Sequence, residues 1–558
     1  MSGIIEVFRQ HPELAIFLTL ALGFLIGRFR IGSFKLGNML GTLLAGMLVG
    51  QMDLSIPPVA KIIFFDLFLF ATGYKVGPQF FYGLKKDAFP QVVITLVICV
   101  SCLVMAILAS KIMGYDVGTA AGMLAGAFTE STVIGTAGDA IQRLRINDTE
   151  KQILLNNIPV AYAVTYLVGT TTVVWFLSSA APKLMHIDLR EVAQSMPEFS
   201  DQKGGVNDIN SAYADWILRA FRVTGKNWCG IPVSAIEKKI PDTRIIIERV
   251  RRDETIFEPK PAMIINEGDI VVIAARQSVM VDKLNDIGSE VDDPELLNFQ
   301  MVTIDIMISK KDIAGKSLLE LDAAHGQGIM LKKLIRGRQE MPFNKETIIQ
   351  RGDTLRVFGR DTDVERTASS LGFKETNNLD TDIFAVAIGI VIGGLIGFLS
   401  MKIGGVVITL STSGGALLLG LVFGWLHSKT PAFGRIPDAS LWILDTLGLA
   451  TFLGIVGISA GPTFISGLKH TGISIVFAGA LVAVLPHVIG LLVGRYLLKM
   501  NPLVMLGAQS GAGTTTIALK ALQDASGSKI PVLGYTIPYA LGNILLTAWG
   551  PLLVSLMT

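Results

Sequence analysis

Two stretches of this chain repeat one another, and both are embedded in apolar sequence. Gly73-Tyr-Lys-Val-Gly-Pro-Gln-Phe-Phe-Tyr-Gly-Leu-Lys-Lys86 is answered 384 residues later by Gly457-Ile-Ser-Ala-Gly-Pro-Thr-Phe-Ile-Ser-Gly-Leu-Lys-His470. The 558 residues are 51% hydrophobic, and the mean hydropathy of +0.54 is too high for an ordinary soluble enzyme. The runs 88–110, 154–182, 383–401, 446–468 and 532–558 carry no Asp, Glu, Lys or Arg. Each is near or above the roughly 20 residues that a bilayer core of about 30 Å requires. Two similar membrane halves around one site are the pattern of a secondary transporter.

The match between the halves extends beyond this motif. The first has runs near 14–27, 36–51, 60–77 and 88–111, a glycine- and threonine-rich stretch at 117–138, and a run at 154–180. The second has runs near 383–401, 403–426, 441–461 and 472–497, a similar stretch at 502–523, and a run at 532–556. Gly41, Gly46 and Gly50 answer Gly415, Gly420 and Gly424; Gly122, Gly126, Thr129 and Asp139 answer Gly507, Gly511, Thr514 and Asp524. An ordered series of this kind indicates duplication. The expected fold is an α-helical polytopic membrane protein built from two inverted repeats. Each has about five transmembrane helices plus a re-entrant or broken Gly/Thr-rich element.

A charged segment separates the halves, and it also repeats. Ile247-Glu-Arg-Val-Arg-Arg252 is answered by Leu331-Lys-Lys-Leu-Ile-Arg336, and Glu267-Gly-Asp-Ile-Val-Val272 by Arg351-Gly-Asp-Thr-Leu-Arg356. Alternating apolar residues beside Gly-Asp turns read as short strands of a small α+β lobe. This pattern resembles the TrkA-C (RCK-C) lobe of potassium-transport regulators. The expected division is a first membrane repeat at 1–182, a linker at 183–204, TrkA-C-like domains at 205–295 and 298–376, and a second membrane repeat at 383–558.

Several classes are excluded. A net charge of +2 without a basic stripe gives no sign of nucleic-acid binding. Cys99, Cys102 and Cys229 cannot form a disulfide framework. Gly315-Lys-Ser317 is not a phosphate-binding loop, because Lys310 stands where its first glycine belongs. No Thr-Val-Gly-Tyr-Gly filter marks a potassium channel. No metal cluster or nucleophile elbow marks an enzyme, and no cofactor or metal is expected. The mixed charges of Glu6, Arg9 and Glu13 argue for a retained first span over a cleaved signal. Arg28, Arg30, Lys35, Lys85, Lys86, Lys429, Arg435, Arg495 and Lys499 all fall on one side if each half crosses five times. By the positive-inside rule that side is cytoplasmic, with the central domain there and both termini outside; Arg143, Arg145, Lys151 and Lys469 run against this count.

The strongest chemical constellation is Thr129, Glu130, Ser131 and Thr132 with Gln509, Ser510, Thr514, Thr515 and Thr516. Dense glycines beside these hydroxyls favour a broken helix, and broken helices at membrane depth must line a cavity. Their N-terminal dipoles attract anions, so the pair is expected to bind a carboxylate. Small-residue helix packing is the alternative for each run taken alone. Gly73, Gly77 and Pro78 with Gly457, Gly461 and Pro462 are read as helix breaks. Lys75 either neutralises a substrate carboxylate or snorkels to the interface. Glu130 either carries a proton or fixes the amine of an amino acid. Among secondary candidates are Tyr162, Tyr166, Tyr535, Tyr539 and Asn543. His487 follows Pro486 and reads as a packed neutral histidine in a kinked span.

These features together resemble the aspartate:alanine exchanger family over essentially the whole chain. The residues carrying the likeness are the paired Gly-x-x-x-Gly-Pro-x-Phe motifs, the Gly/Thr elements and the two TrkA-C-like lobes. The resemblance implies antiport of small carboxylates across the inner membrane by alternating access, elevator-like in preference to rocking. It implies L-aspartate exchanged for L-alanine, with succinate or another dicarboxylate as the alternative and a potassium-transport protein as a distant one. It further implies a homodimer in the lipid bilayer. The TrkA-C lobes would then either take a small regulatory ligand or serve only to join protomers.

Overall fold

The computed structural model describes residues 2–31, 34–83, 88–196, 216–237, 239–240, 245–282, 286–298, 301–326, 328–336, 339–374, 380–403, 406–409, 411–430, 433–465 and 472–558. The Leu-Lys ends of the repeated motif, at 84–86 and 468–470, lie outside them, as do Gly467, Met1 and Lys203.

The first half contains α1 (Ser2–Gln10), α2 (Pro12–Ile26), α3 (Asn38–Val49), α4 (Pro58–Gly83), α5 (Phe89–Met113), α6 (Val117–Ala127), α7 (Thr132–Gln142) and α8 (Asp148–Trp175). The second contains α9 (Ile383–Gly397), α10 (Ser411–Lys429), α11 (Asp438–Ala460), α12 (Ser474–Leu492), α13 (Pro502–Ala512), α14 (Thr516–Ser526) and α15 (Pro531–Met557). From α2 and α9 onward the order is the same. Among the described residues, five helices are long and apolar enough to cross a membrane: α5, α8, α11, α12 and α15, several with short extensions. Local chemistry repeats too. Asp116 caps α6 by accepting from Thr119 N, and Asn501 caps α13 by accepting from Leu503 N and Val504 N.

Three local features depart from the sequence reading. Two-stranded hairpins, Arg30–Ile31 with Phe34–Lys35 and Ser400–Ile403 with Val406–Thr409, join the first two long helices of each half. The run expected at 403–426 therefore starts as strand, where Val406, Val407, Ile408 and Thr409 are β-branched. The stretch before α2 is itself a helix, α1. The third is the Gly-Pro motif. α4 runs through Pro78 to Gly83, so Gly73, Gly77 and Pro78 do not break it. In the second half α11 ends at Ala460, and Gly461–Thr463 form one 3-10 turn.

These glycines serve packing instead. A Cβ on Gly73 would lie 2.2 Å from Leu417 O, and one on Gly77 2.3 Å from Leu421 O, both on α10. In return, Gly420 and Gly424 of α10 would clash with Phe70 O and Tyr74 O of α4. The other half repeats the seam: Gly457 meets Leu43 O, Gly461 meets Met47 O, Gly46 meets Gly454 O, and Gly50 meets Ile458 O. Thus the third long helix of each half packs backbone to backbone on the second long helix of the other. Pro78 is tolerated because the carbonyl it leaves without an N–H partner, Tyr74 O, is the one that Gly424 covers.

The helices sort into two bundles. α2, α3 and α4 pack with α9, α10 and α11; α5 to α8 pack with α12 to α15. Each bundle draws on both halves.

The central segment forms two antiparallel five-stranded sheets. The first comprises β1 (Trp216–Val223), β2 (Ile246–Arg252), β3 (Thr255–Phe257), β4 (Ile270–Arg276) and β5 (Gly288–Val291), in the order β3-β2-β4-β1-β5. The second comprises β6 (Met301–Ile308), β7 (Ile329–Arg336), β8 (Gln339–Met341), β9 (Thr354–Arg360) and β10 (Gly372–Lys374), in the matching order β8-β7-β9-β6-β10. The repeated Arg and Gly-Asp pairs explain each other. Arg252 reaches both oxygens of Asp269 at 2.9 and 2.8 Å, and Arg336 both oxygens of Asp353 at 2.8 and 2.7 Å. Each fork ties a strand to the turn that opens its neighbour in the sheet, β2 to β4 and β7 to β9. Arg360 joins the two lobes through Glu248, 3.2 Å away.

The second lobe sits across both helical bundles. Arg351 donates to Lys429 O at the end of α10 (2.8 Å), and Gly352 abuts Ser428 and Pro78. On the other bundle, Glu340 pairs with Lys529 (3.0 Å), and Leu519, Val532 and Tyr535 join the lobe's own apolar core.

The glycine seams give a direct test. Gly77→Ala forces a methyl onto Leu421 O, and overpacking of this kind costs about 1–3 kcal/mol. Gly394→Ala, on α9 of the same bundle, meets nothing nearer than 4.0 Å and gains helix propensity. In detergent, Gly77→Ala is expected to lower the thermal unfolding midpoint while Gly394→Ala holds or raises it. Equal behaviour of the two would refute the seam.

Candidate functional site

Both Gly/Thr elements are broken helices. α6 ends at Ala127 and α7 starts at Thr132; α13 ends at Ala512 and α14 starts at Thr516. Each arm has 11 residues, roughly 16 Å of helix, too short to cross a bilayer alone. At the breaks, Thr129 has φ +55° and Thr514 φ +52°. A β-branched residue in the left-handed region is rare and strained, and such strain gathers at functional sites. Here it recurs at equivalent positions of the two halves.

The two breaks touch. Thr514 Oγ1 donates to Phe128 O across them (2.9 Å). The first turns of α7 and α14 begin here, so the positive ends of two helix dipoles lie at one place.

Most of the expected hydroxyls hold this arrangement together. Ser131 Oγ shares a 2.7 Å bond with Tyr162 OH. Thr132 Oγ1 donates to Glu130 Oε1 (2.7 Å) and lies 2.6 Å from Thr547 Oγ1 on α15. Ser510 donates to Thr515 O (2.7 Å), and Thr515 Oγ1 caps α14 by accepting from Ala518 N. Thr516 faces outward. Thr129 is half-buried, and its hydroxyl has no hydrogen-bond partner among the described residues. Glu130 and Gln509 are buried at 4% and 0% exposure, so the breaks enclose one acid and one amide.

Lys75 is not brought to the breaks. Its ammonium pairs with Asp445 of α11, which also accepts from Thr72 (3.4 Å). The lysine is thus compensated within its own bundle. Tyr166 packs on Tyr162, and Tyr539 stacks on Tyr535. Asn543 donates to Tyr539 O (2.7 Å), and Thr547 donates to Asn543 O (2.6 Å). Sequence reasoning missed Thr547 and Phe128. The 539, 543, 547 spacing on one helix face was the available signal for Thr547; Phe128 offered none.

Together the paired breaks and the central lobes define a membrane transporter with a regulatory-type domain. Residues 15–181 and 385–555 match the family model described as a predicted permease membrane region, and residues 303–372 match the TrkA-C domain. The chain belongs to the aspartate:alanine exchanger family. Similar proteins include an uncharacterized transporter of Shewanella oneidensis, 38% identical and covering all of both chains. One of Bordetella bronchiseptica is 35% identical over all of this chain and 98% of its own. Another, of Bradyrhizobium diazoefficiens, is 37% identical over 90% of this chain and 98% of its own. No solved structure matches.

Thr129→Val keeps side-chain shape and removes the uncommitted hydroxyl. A hydrogen bond to a charged group contributes about 1.5–3 kcal/mol, so affinity for a carboxylate substrate should fall roughly ten- to hundredfold. Thr170→Val, whose hydroxyl bonds only its own helix at Tyr166 O, should change it little. Binding measured by calorimetry in detergent checks both, and an unchanged affinity in Thr129→Val would remove Thr129 from the site.

Proposed function

We propose that the protein is a secondary antiporter that exchanges L-aspartate for L-alanine at the paired helix breaks. The observation that carries this reading is the contact of two strained breaks, Thr129 and Thr514, around the buried Glu130. Helix N-termini and the Thr129 hydroxyl supply donors for a carboxylate. A buried glutamate favours a substrate that brings an ammonium over one that brings only negative charges, which ranks amino acids above succinate. The division into two bundles supports elevator-like movement, with α5–α8 and α12–α15 carrying the site against α2–α4 and α9–α11.

Proteoliposomes loaded with alanine should take up labelled aspartate, and empty ones should not. Uptake of succinate in preference to aspartate would favour the dicarboxylate reading, and uptake indifferent to internal alanine would end the exchange model.

By the distribution of Lys and Arg, the central domain lies in the cytoplasm of an inner-membrane protein, with both termini outside. The protein acts as a homodimer. A cysteine introduced near Thr558 should react with an impermeant thiol reagent applied to cells, and one near Lys203 should not. External labelling at Lys203 would invert or discard this topology.

A further inference from the structure

Two wholly buried polar side chains with unmet hydrogen-bonding atoms lie behind the second break. His487 of α12 is 1% exposed and Gln509 of α13 is 0% exposed. His487 Nε2 and both amide atoms of Gln509 make no hydrogen bond among the described residues. Leaving such groups unpaired is costly, so a protein retains them for a reason.

Their geometry states what they would accept. His487 Nδ1 lies 2.8 Å from Ala483 O. A carbonyl only accepts, so Nδ1 carries the proton, and Nε2 of the neutral ring is left as a lone pair. Nε2 lies beside the break: a Cβ on Gly513, next to Thr514, would stand 3.0 Å from Nε2 and 3.5 Å from Gln509 O. The Gln509 carboxamide lies in the same seam, its Cδ 3.6 Å from where a Cβ on Gly490 would be, and Gly490 is one turn along from His487. Phe128, of the first break, stacks on the imidazole with ring centroids 5.5 Å apart. The pair therefore adjoins both breaks.

The repeated fold does not need this polarity. At the offset of 385 residues that relates the two broken helices, the matching positions are Cys102 and Leu124, both fully buried in the apolar core. The polar pair belongs to one half only, as a feature serving an asymmetric ligand would.

The unmet set is two acceptors, His487 Nε2 and Gln509 Oε1, beside one NH2 donor. A carboxylate alone satisfies only the donor and leaves the imidazole lone pair facing negative charge. A primary ammonium satisfies both acceptors, and the adjacent carboxylate of an α-amino acid can then take the amide N–H. We infer that His487 and Gln509 receive the α-ammonium group of the substrate and so make the site selective for amino acids over their deaminated analogues. Glu130 supplies the compensating negative charge, and the donors at the breaks take the carboxylate. This rests on the reading that the breaks bind substrate.

The test compares L-aspartate with succinate, which lacks the ammonium, on the full-length protein in detergent. The readouts are binding and ligand-induced shifts of the unfolding midpoint. Wild type should bind aspartate more tightly than succinate. His487→Phe keeps the stack on Phe128, and Gln509→Leu keeps the volume. Each should weaken aspartate roughly ten- to hundredfold, the loss of a hydrogen bond to a charged group; His487→Phe should leave succinate unchanged, and Gln509→Leu, which also removes the amide N–H, should weaken succinate less than aspartate. Gln509→Leu should also raise the midpoint of the ligand-free protein, because it removes a buried amide that bonds nothing. A structural role predicts the opposite: a lowered midpoint with aspartate binding intact. That outcome, or retained preference for aspartate in both variants, overturns the inference. If wild type binds neither ligand, the breaks are not the substrate site, and the proposed function fails before the inference is reached.

Discussion

Close contact between helix backbones, permitted by glycine, is what the rest of this structure depends on. In a bilayer, burying apolar side chains between helices gains little over leaving them in lipid, so association rests on packing and hydrogen bonding. The eight glycines of the two seams bring α4 onto α10 and α11 onto α3. Because each seam joins one half to the other, neither half completes its own bundle. The duplication is thus visible as an interlocked structure, not as two neighbouring copies.

The second bundle is interlocked by polar contacts. Thr132 meets Thr547, Thr136 donates to Thr547 O (3.0 Å), and Trp549 donates to Cys99 O (2.7 Å). All run from the last helix of the chain to the first half. They hold the two breaks in register, and the hydroxyls of Ser131, Ser510 and Thr515 fix the strained turns locally. The cost of two left-handed threonines is met by this surrounding network, which leaves the Thr129 hydroxyl, the Gln509 amide and His487 Nε2 without hydrogen bonds among the described residues.

The second lobe grips both bundles, through Arg351 and Gly352 on one side and Glu340 on the other. Relative movement of the bundles must therefore disturb its contacts. The lobe lies against Pro78 of the repeated motif and against α14 and α15, which lead away from the second break. Its position puts the lobe in direct contact with the membrane region on both sides.

The sequence by itself determined the repeated motifs, the order of the apolar runs and the place of the two Gly/Thr elements, because glycine density and apolar runs report local backbone and solvent preferences. It also marked Arg252 with Asp269 and Arg336 with Asp353 as repeated, since their spacing in the chain is conserved between lobes. What it could not decide was partnership. Gly-x-x-x-Gly-Pro signals a weak helix, yet α4 continues through Pro78 because Gly424, almost 350 residues away, covers the freed carbonyl. Lys75 offers a cation in the sequence and is neutralised by Asp445 in the fold. His487 reads as a packed histidine until Nδ1 is seen to be bonded and Nε2 is not. Local propensity is written in the neighbouring residues; which polar groups are satisfied depends on helices brought together from opposite halves, and only the tertiary structure supplies that.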